Sequence, residues 1–220
     1  MLITCWSAKG GSGTTTIAAA LALSLADDTG EEVTLVDLAG DLPAALGMSE
    51  PSGPGVSDAL AAHPSADPAA EARRARLELV PGVGLIPHGA GPLRGGAAME
   101  ALVRGLGLHA EGRIVVVDAG VVRPGTPALD AVLGSPSSLL VTRPCYLSVR
   151  RAVGLPVRPD AVVLVDEPGR SLGHRDVEAV LGVPVRAVVP LEASIARAID
   201  AGLLLARLPR SLSRALRAAA

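Results

Sequence analysis

The sequence has no phenylalanine, asparagine or glutamine, and only one tryptophan, one tyrosine and one lysine. With so little aromatic bulk in a chain that is 49 % hydrophobic, the core has to be packed from Leu, Val, Ile and Ala. Cys5 and Cys145 form neither a CxxC pair nor a metal-ligand spacing, which excludes a disulfide scaffold and fits a reduced protein. No apolar run reaches membrane-spanning length, and the N-terminus lacks the basic start of a secretory signal. The expectation is a soluble protein of the cytoplasm. A net charge of −2 and a pI near 6.1 exclude a surface that is basic throughout, as a general nucleic-acid binder would need. The charge is uneven, however: residues 186–220 carry about +4, leaving about −6 for the remainder.

Nineteen of the 20 basic residues are arginine, a bias that, with the abundance of Ala, Gly and Pro, marks a high-GC coding sequence. Against that bias the single lysine, Lys9, is informative, because it lies in a glycine-rich loop. At 220 residues the chain fits one large domain with a sizeable core. Short apolar runs at 2–6, 32–37, 77–80, 83–87, 113–118, 137–142, 160–166 and 185–190 predict strands. Several are continuous rather than alternating, as in parallel strands buried on both faces. Helical segments at 15–28, 96–108, 145–155, 176–182 and 193–208 fall between them, which predicts a single-domain α/β fold with a doubly wound, mostly parallel sheet. Pro/Gly/Ser clusters mark irregular loops at 49–75, around one or two short helices, and at 88–96.

"SAKGGSGTTT" (7–16) follows the first predicted strand and opens an Ala-rich helix. In that context Gly10, Gly11, Ser12 and Gly13 can cradle a phosphate with backbone N–H groups at a helix N-terminus. The same glycines also suit a tight turn with no ligand. The usual loop has lysine after its last glycine, where this sequence has Thr14.

"KGGSGTTT" resembles the deviant Walker A loop, KGGxGK[ST]T, of the ParA/MinD ATPases. The resemblance extends through "VTLVDLAGD" (33–41), "RIVVVDAG" (113–120), "VTRPCYLSVRRA" (141–152) and "DVEAVLGVPVRAVVPLEASIARAIDAG" (176–202). "GDLPAALG" (40–47) and "GVSDAL" (55–60) are similar to the CpaE/TadZ-like branch, which positions pilus or secretion machinery. The resemblance implies a P-loop NTPase fold that binds ATP with Mg²⁺ and dimerises around it. Lys9 then matches the lysine that reaches the partner's phosphates. Thr15 matches the Mg²⁺-ligating hydroxyl, Thr16 the one near the α-phosphate, and Asp118 the carboxylate that holds Mg²⁺ through water; Asp37 is a further metal candidate.

Three positions depart from the pattern. Thr14 replaces the loop lysine, and Ala39 stands where the family has the aspartate that orients the attacking water. Asp41 is the nearby carboxylate that could substitute for it. Losing one such group costs roughly a hundredfold in rate, so weak hydrolysis is expected. Asp166 falls where the family has the Asn that reads adenine; a carboxylate suits guanine better, so GTP is the alternative to ATP, and a plain turn before Pro168 is the simpler role. The implied function is a dimerising switch or scaffold that positions a cell-envelope, pilus or secretion machine. The alternatives are an active ATPase of chromosome partition or septum placement, and a nucleotide-free scaffold.

His63, His88, His109 and His174 lack Cys or carboxylate partners in the sequence and are expected to face solvent. Cys145, at a predicted helix N-terminus, is expected to have a lowered pKa. Over about 204–218 a basic amphipathic helix is predicted, with Leu205, Leu208, Leu212 and Leu216 on one face and Arg207, Arg210, Arg214 and Arg217 opposite. It has no aromatic anchor and is interrupted by Pro209, which favours packing on the sheet over contact with anionic lipid or DNA.

Overall fold

A computed structural model describes residues 1–63, 65–108 and 112–219; His109 lies outside them. The chain runs β1 (Leu2–Ser7), α1 (Thr14–Thr29), β2 (Glu32–Asp37), α2 (Leu42–Leu46), α3 (Val56–Ala61), α4 (Pro68–Arg74), β3 (Leu77–Val80) and β4 (Val83–Ile86). It continues α5 (Ala97–Leu108), β5 (Arg113–Val121), α6 (Pro127–Gly134), β6 (Ser138–Thr142) and α7 (Tyr146–Val153). The last elements are β7 (Ala161–Asp166), α8 (His174–Leu181), β8 (Val185–Pro190), α9 (Ala193–Asp200) and α10 (Arg210–Leu216). Every predicted strand is present, and the strands form one sheet in the order β3-β4-β2-β5-β1-β6-β7-β8. Only β3 is antiparallel to its neighbour.

The apolar runs work as parallel strands because each face of the sheet has its own core. Trp6 and Val117 point into a layer built on α5, where Met99 and Leu102 are fully buried. Ile3, Cys5 and Val116 point the other way, towards α1. The small side chains Ala18, Ala19, Ala20 and Ala22 of α1 are wholly buried, which lets that helix lie close to the central strands. Gly13 and Gly30, both left-handed, bound α1. From β1 the chain winds to β2 on one side of the sheet, and from β5 it crosses to β6 on the other. That reversal makes a crevice at the carboxyl ends of β1 and β5, where open α/β sheets bind ligands.

The C-terminal region differs from expectation. The helix predicted over 193–208 stops at Asp200, and the one predicted over 204–218 is confined to Arg210–Leu216. The break lies at Gly202, left-handed at φ 63°, whose backbone meets that of Gly47, also left-handed at φ 75°. Pro209, extended, then restarts the chain into α10. Leu204, Leu212 and Leu216 are fully buried, so the apolar side of this segment is consumed by the core on the α1 face. Arg207, Arg210, Arg214 and Arg217 are exposed, and Arg217 pairs with Asp28 of α1 at 2.9 Å. Among the described residues no helix is long and apolar enough to cross a membrane.

The Gly47–Gly202 contact makes a paired prediction. A Cβ on Gly47 would lie 1.9 Å from the Gly202 carbonyl oxygen, whereas one on Gly30 meets nothing within 4 Å. Gly30→Ala should cost about 1–2 kcal/mol, the ordinary penalty of a left-handed alanine, and Gly47→Ala distinctly more. Urea denaturation of the two variants measures the difference, and equal losses would contradict the close approach.

Candidate phosphate-binding site

The loop after β1 is held open by its backbone. Gly11 (φ 74°) and Gly13 (φ 89°) adopt conformations that side chains disfavour. The Ser12 hydroxyl donates to the Lys9 carbonyl at 2.7 Å and closes the turn. Helical bonding starts with Ile17 N–H donating to Gly13 O, so the N–H groups of Thr14, Thr15 and Thr16 have no acceptor within the helix. No side chain caps α1 and no acidic residue lies in its first turn. A 16-residue helix therefore presents uncapped donors and the positive end of its dipole to the crevice.

Two carboxylates face this end of the helix from adjacent strands, Asp37 of β2 in register with Asp118 of β5. Both are fully buried, yet their environments differ. Asp37 Oδ1 accepts N–H bonds from Ala39 (3.1 Å) and Gly40 (2.7 Å), and its Oδ2 accepts one from Leu42 (3.1 Å). Burial raises the Asp37 pKa, and these bonds and the charge of His88 pull it back. Asp37 thus organises the 38–42 loop. Asp118 Oδ1 accepts from Gly120 N–H at 3.0 Å, whereas Oδ2 has no hydrogen-bond partner. Burial pushes the Asp118 pKa up to about 7, reinforced by the charges of Asp37 and Asp41 and opposed by hydrogen bonds from the Thr15 hydroxyl and Gly120. An orphaned, desolvated carboxylate oxygen beside a threonine hydroxyl is a donor set suited to a hard cation. Among the described residues no three His, Cys, Asp or Glu side chains cluster into a metal site, so a bound cation would need ligands from elsewhere, as Mg²⁺ takes from phosphates.

The glycine loop borders a cleft of about 680 Å³. Gly11, Ser12, Gly13, Thr14, Thr15 and Thr16 line one wall, and Ala39, Asp41 and Gly120 line another. Lys9 is not among its lining residues; half-buried, it places Nζ 3.5 Å from the Gly10 carbonyl. A second cavity of about 220 Å³ adjoins the glycine loop at Ser12, Gly13 and Thr16, and is walled by Val165, Leu191, Ile195 and Arg143. Asp166 is exposed at the end of β7 and does not line that cavity.

Two cavity residues were not anticipated. His88, expected to face solvent, is half-buried and lines the phosphate cleft, because it lies two residues past the carboxyl end of β4 and parallel strands deliver such residues to the crevice. Arg143 reaches the second cavity for the same reason, from the end of β6. His63 and His174 are exposed, as expected. At the N-terminus of α7, burial raises the Cys145 pKa, but hydrogen bonding from Ser148 and the charges of Lys9 and Arg170 outweigh it and leave the thiol lowered.

A glycine loop joining the first strand to a helix, with a buried carboxylate on the neighbouring strand of a mostly parallel sheet, is the P-loop α/β fold of the ParA/MinD structures. Solved structures share the fold. A ParA family ATPase from Chlorobium tepidum TLS matches at 19 % identity and TM-score 0.74, over 98 % of this chain and 95 % of that one. The MinC:MinD cell division protein complex of Aquifex aeolicus gives 21 % and 0.78, over 98 % and 92 %. The septum site-determining protein MinD of Pyrococcus horikoshii OT3, complexed with Mg-ADP, gives 18 % and 0.74, over 97 % and 91 %. A family model described as cellulose biosynthesis protein BcsQ matches residues 1–118, more than half of the sequence, and the chain belongs to that family. No curated protein sequence matches it.

The buried carboxylates set a pH dependence. Asp118 titrates near 7 when folded and near 3.9 when unfolded, and Asp37 is raised in the same direction. Between those values the folded state holds more protons, so stability falls as pH rises from about 4 to about 7. Ligand-free protein should be more stable at about pH 5 than at about pH 8, by roughly a few kcal/mol at most. Asp118→Asn should flatten this slope. Denaturation curves at both pH values provide the check, and a slope of the opposite sign would contradict the burial argument.

Proposed function

We propose that this chain is a nucleotide-gated switch that dimerises around a Mg²⁺–nucleoside triphosphate and hydrolyses it slowly. The carrying observation is that the uncapped N–H donors of α1 line a cleft, while the Thr15 hydroxyl among them lies beside the buried carboxylate of Asp118, whose Oδ2 has no hydrogen-bond partner. Gly10, Gly11, Ser12, Gly13 and Thr14 would cradle the phosphates, with Thr16 at the α-phosphate. Thr15 would ligate Mg²⁺, and Asp118 would hold it through water. Asp37, with both oxygens engaged by backbone, would hold the adjoining loop instead. Bound there, Mg²⁺ would neutralise phosphate charge. Lys9 lies outside its own cleft, which supports a role in trans at a partner's phosphates.

ATP is the favoured nucleotide, in keeping with the Mg-ADP bound by the related MinD fold. GTP is the alternative, and Asp166 is better assigned to a turn than to base reading. Weak hydrolysis follows from the hydroxyl at Thr14 and the methyl at Ala39, two places where charge stabilisation or water orientation is lost. A faster ATPase would require Asp41 to serve, and its place on the cleft wall favours that second reading.

As a switch, nucleotide occupancy would set dimerisation, and the dimer would present a surface to a protein partner, much as MinD joins MinC in the Aquifex complex. The family description points to the cell-envelope machinery of cellulose synthesis, and "GDLPAALG" and "GVSDAL" extend the likeness to CpaE/TadZ proteins of pilus and secretion systems. The exposed arginines of α10 could add a contact to anionic lipid or DNA, although the buried leucines leave no apolar face to insert.

Millimolar Mg–ATP should raise the melting temperature; a ligand at a hundred times its Kd adds about 2.7 kcal/mol. Lys9→Ala should reduce the nucleotide-dependent dimer seen by sedimentation. Thr14→Lys with Ala39→Asp should raise turnover by about a hundredfold or more. Melting curves unmoved by either Mg–ATP or Mg–GTP would sink the proposal.

A further inference from the structure

The phosphate cleft is short of positive charge. Thr14 supplies only a hydroxyl, Lys9 lies outside, and no lysine or arginine is among the lining residues. Asp41 lies on its wall, and Asp37 and Asp118, each next in the chain to a lining residue, are fully buried. A triphosphate bound with one Mg²⁺ still carries net negative charge, so a donor able to bear positive charge would have to come from elsewhere in the cleft. Among the described lining residues only His88 qualifies.

His88 is held rather than free. Its segment leaves β4 through Pro87 and is pinned to the start of α3. Val56 N–H donates to the Pro87 carbonyl at 2.9 Å, and Ser57 N–H to the His88 carbonyl at 2.8 Å. Gly91 N–H donates to the Ser57 hydroxyl at 3.1 Å, fixing the far side of the turn. The ring lies against Gly40, where an added Cβ would sit 3.9 Å from its Cγ and Cδ2. Nδ1 is 2.9 Å from the Gly89 carbonyl oxygen. A carbonyl can only accept, so Nδ1 carries the hydrogen and Nε2 is the nitrogen left to act on a ligand.

We propose that His88, as an imidazolium, donates from Nε2 to the terminal phosphate of the bound nucleotide and supplies in cis the charge that a lysine at position 14 would have supplied. The inference rests on the nucleotide-binding reading and deepens it. The charged groups near this ring are acidic: Asp37, on whose carboxyl it acts, Asp41 on the same cleft wall, and Asp58 of α3, whose Oδ2 lies beside Gly89 and accepts from Gly55 N–H at 2.8 Å. No cation among the lining residues competes for the phosphate. With Nδ1–H directed at the Gly89 carbonyl, Nε2 donates to a phosphate oxygen only when it too carries a hydrogen, since its lone pair would repel that oxygen. His88 acts within one chain, whereas Lys9 requires a dimer.

Calorimetric titration with Mg–ATP and Mg–ADP at about pH 6 and pH 8 tests this in the intact protein. Wild type should bind ATP more weakly at the higher pH. At the lower pH, His88→Ala should weaken ATP binding at least about tenfold while changing ADP less than about threefold. His88→Lys should keep the ATP affinity and lose its pH dependence, and melting curves without ligand confirm that each variant folds. Equal losses for ATP and ADP, unchanged ATP binding in His88→Ala, or a pH-independent wild type would each overturn the role of His88. Wild type binding neither nucleotide would sink the nucleotide-binding reading itself, a result distinct from those three.

Discussion

Desolvation of the Asp118 carboxylate governs the architecture of the site. The residue ends the apolar core of β5 between β1 and β2, where water cannot reach it, and one of its oxygens is left without a donor. A carboxylate so placed either holds a proton or meets a cation. Its neighbours show what the fold does when it needs neither. Asp37, one strand away and equally buried, is given three backbone N–H groups. Cys5, its neighbour on β1, is kept a thiol by burial, with the Asp118 charge adding to the effect. Of these three, Asp118 is the one left with a bare carboxylate oxygen, and it lies beside Thr15 at the uncapped end of α1.

The two halves of the site have diverged in completeness. One part holds positive-φ glycines, amides without an acceptor in their own helix, and a hydroxyl next to an orphaned carboxylate, a set suited to an anion with its cation. At the two positions that the proposal ties to slow hydrolysis stand the methyl of Ala39 and the hydroxyl of Thr14. The 38–42 loop is well organised, hung from Asp37 through three backbone N–H groups, with alanine at position 39. An ordered loop without an acid at position 39 suits the proposed switch, whose output is a shape rather than a product.

The strands were legible because burial on both faces writes itself as unbroken apolar runs, and the glycine loop because positive φ leaves few other residue types. The C-terminal helix was misjudged because periodicity reports only local preference. Gly202 turns left-handed where the backbone of Gly47, remote in sequence, comes against it, and no local pattern records that meeting. His88 was passed over for a related reason: its position depends on hydrogen bonds from α3, so its residue type alone suggested a solvent-facing side chain. Asp166 shows the opposite limit, since matching a motif position did not bring it to the wall of the neighbouring cavity.

The central claim is that the amides opening α1 and the carboxylate of Asp118 form one ligand site. Backbone amide NMR during titration with Mg–nucleotide addresses it directly. The account predicts saturable shifts concentrated at Gly11, Gly13, Thr14, Thr15 and Thr16 and at Asp118–Gly120, with the exposed residues of α8 unaffected. Spectra that stay unchanged at those positions, or that shift elsewhere, would contradict it.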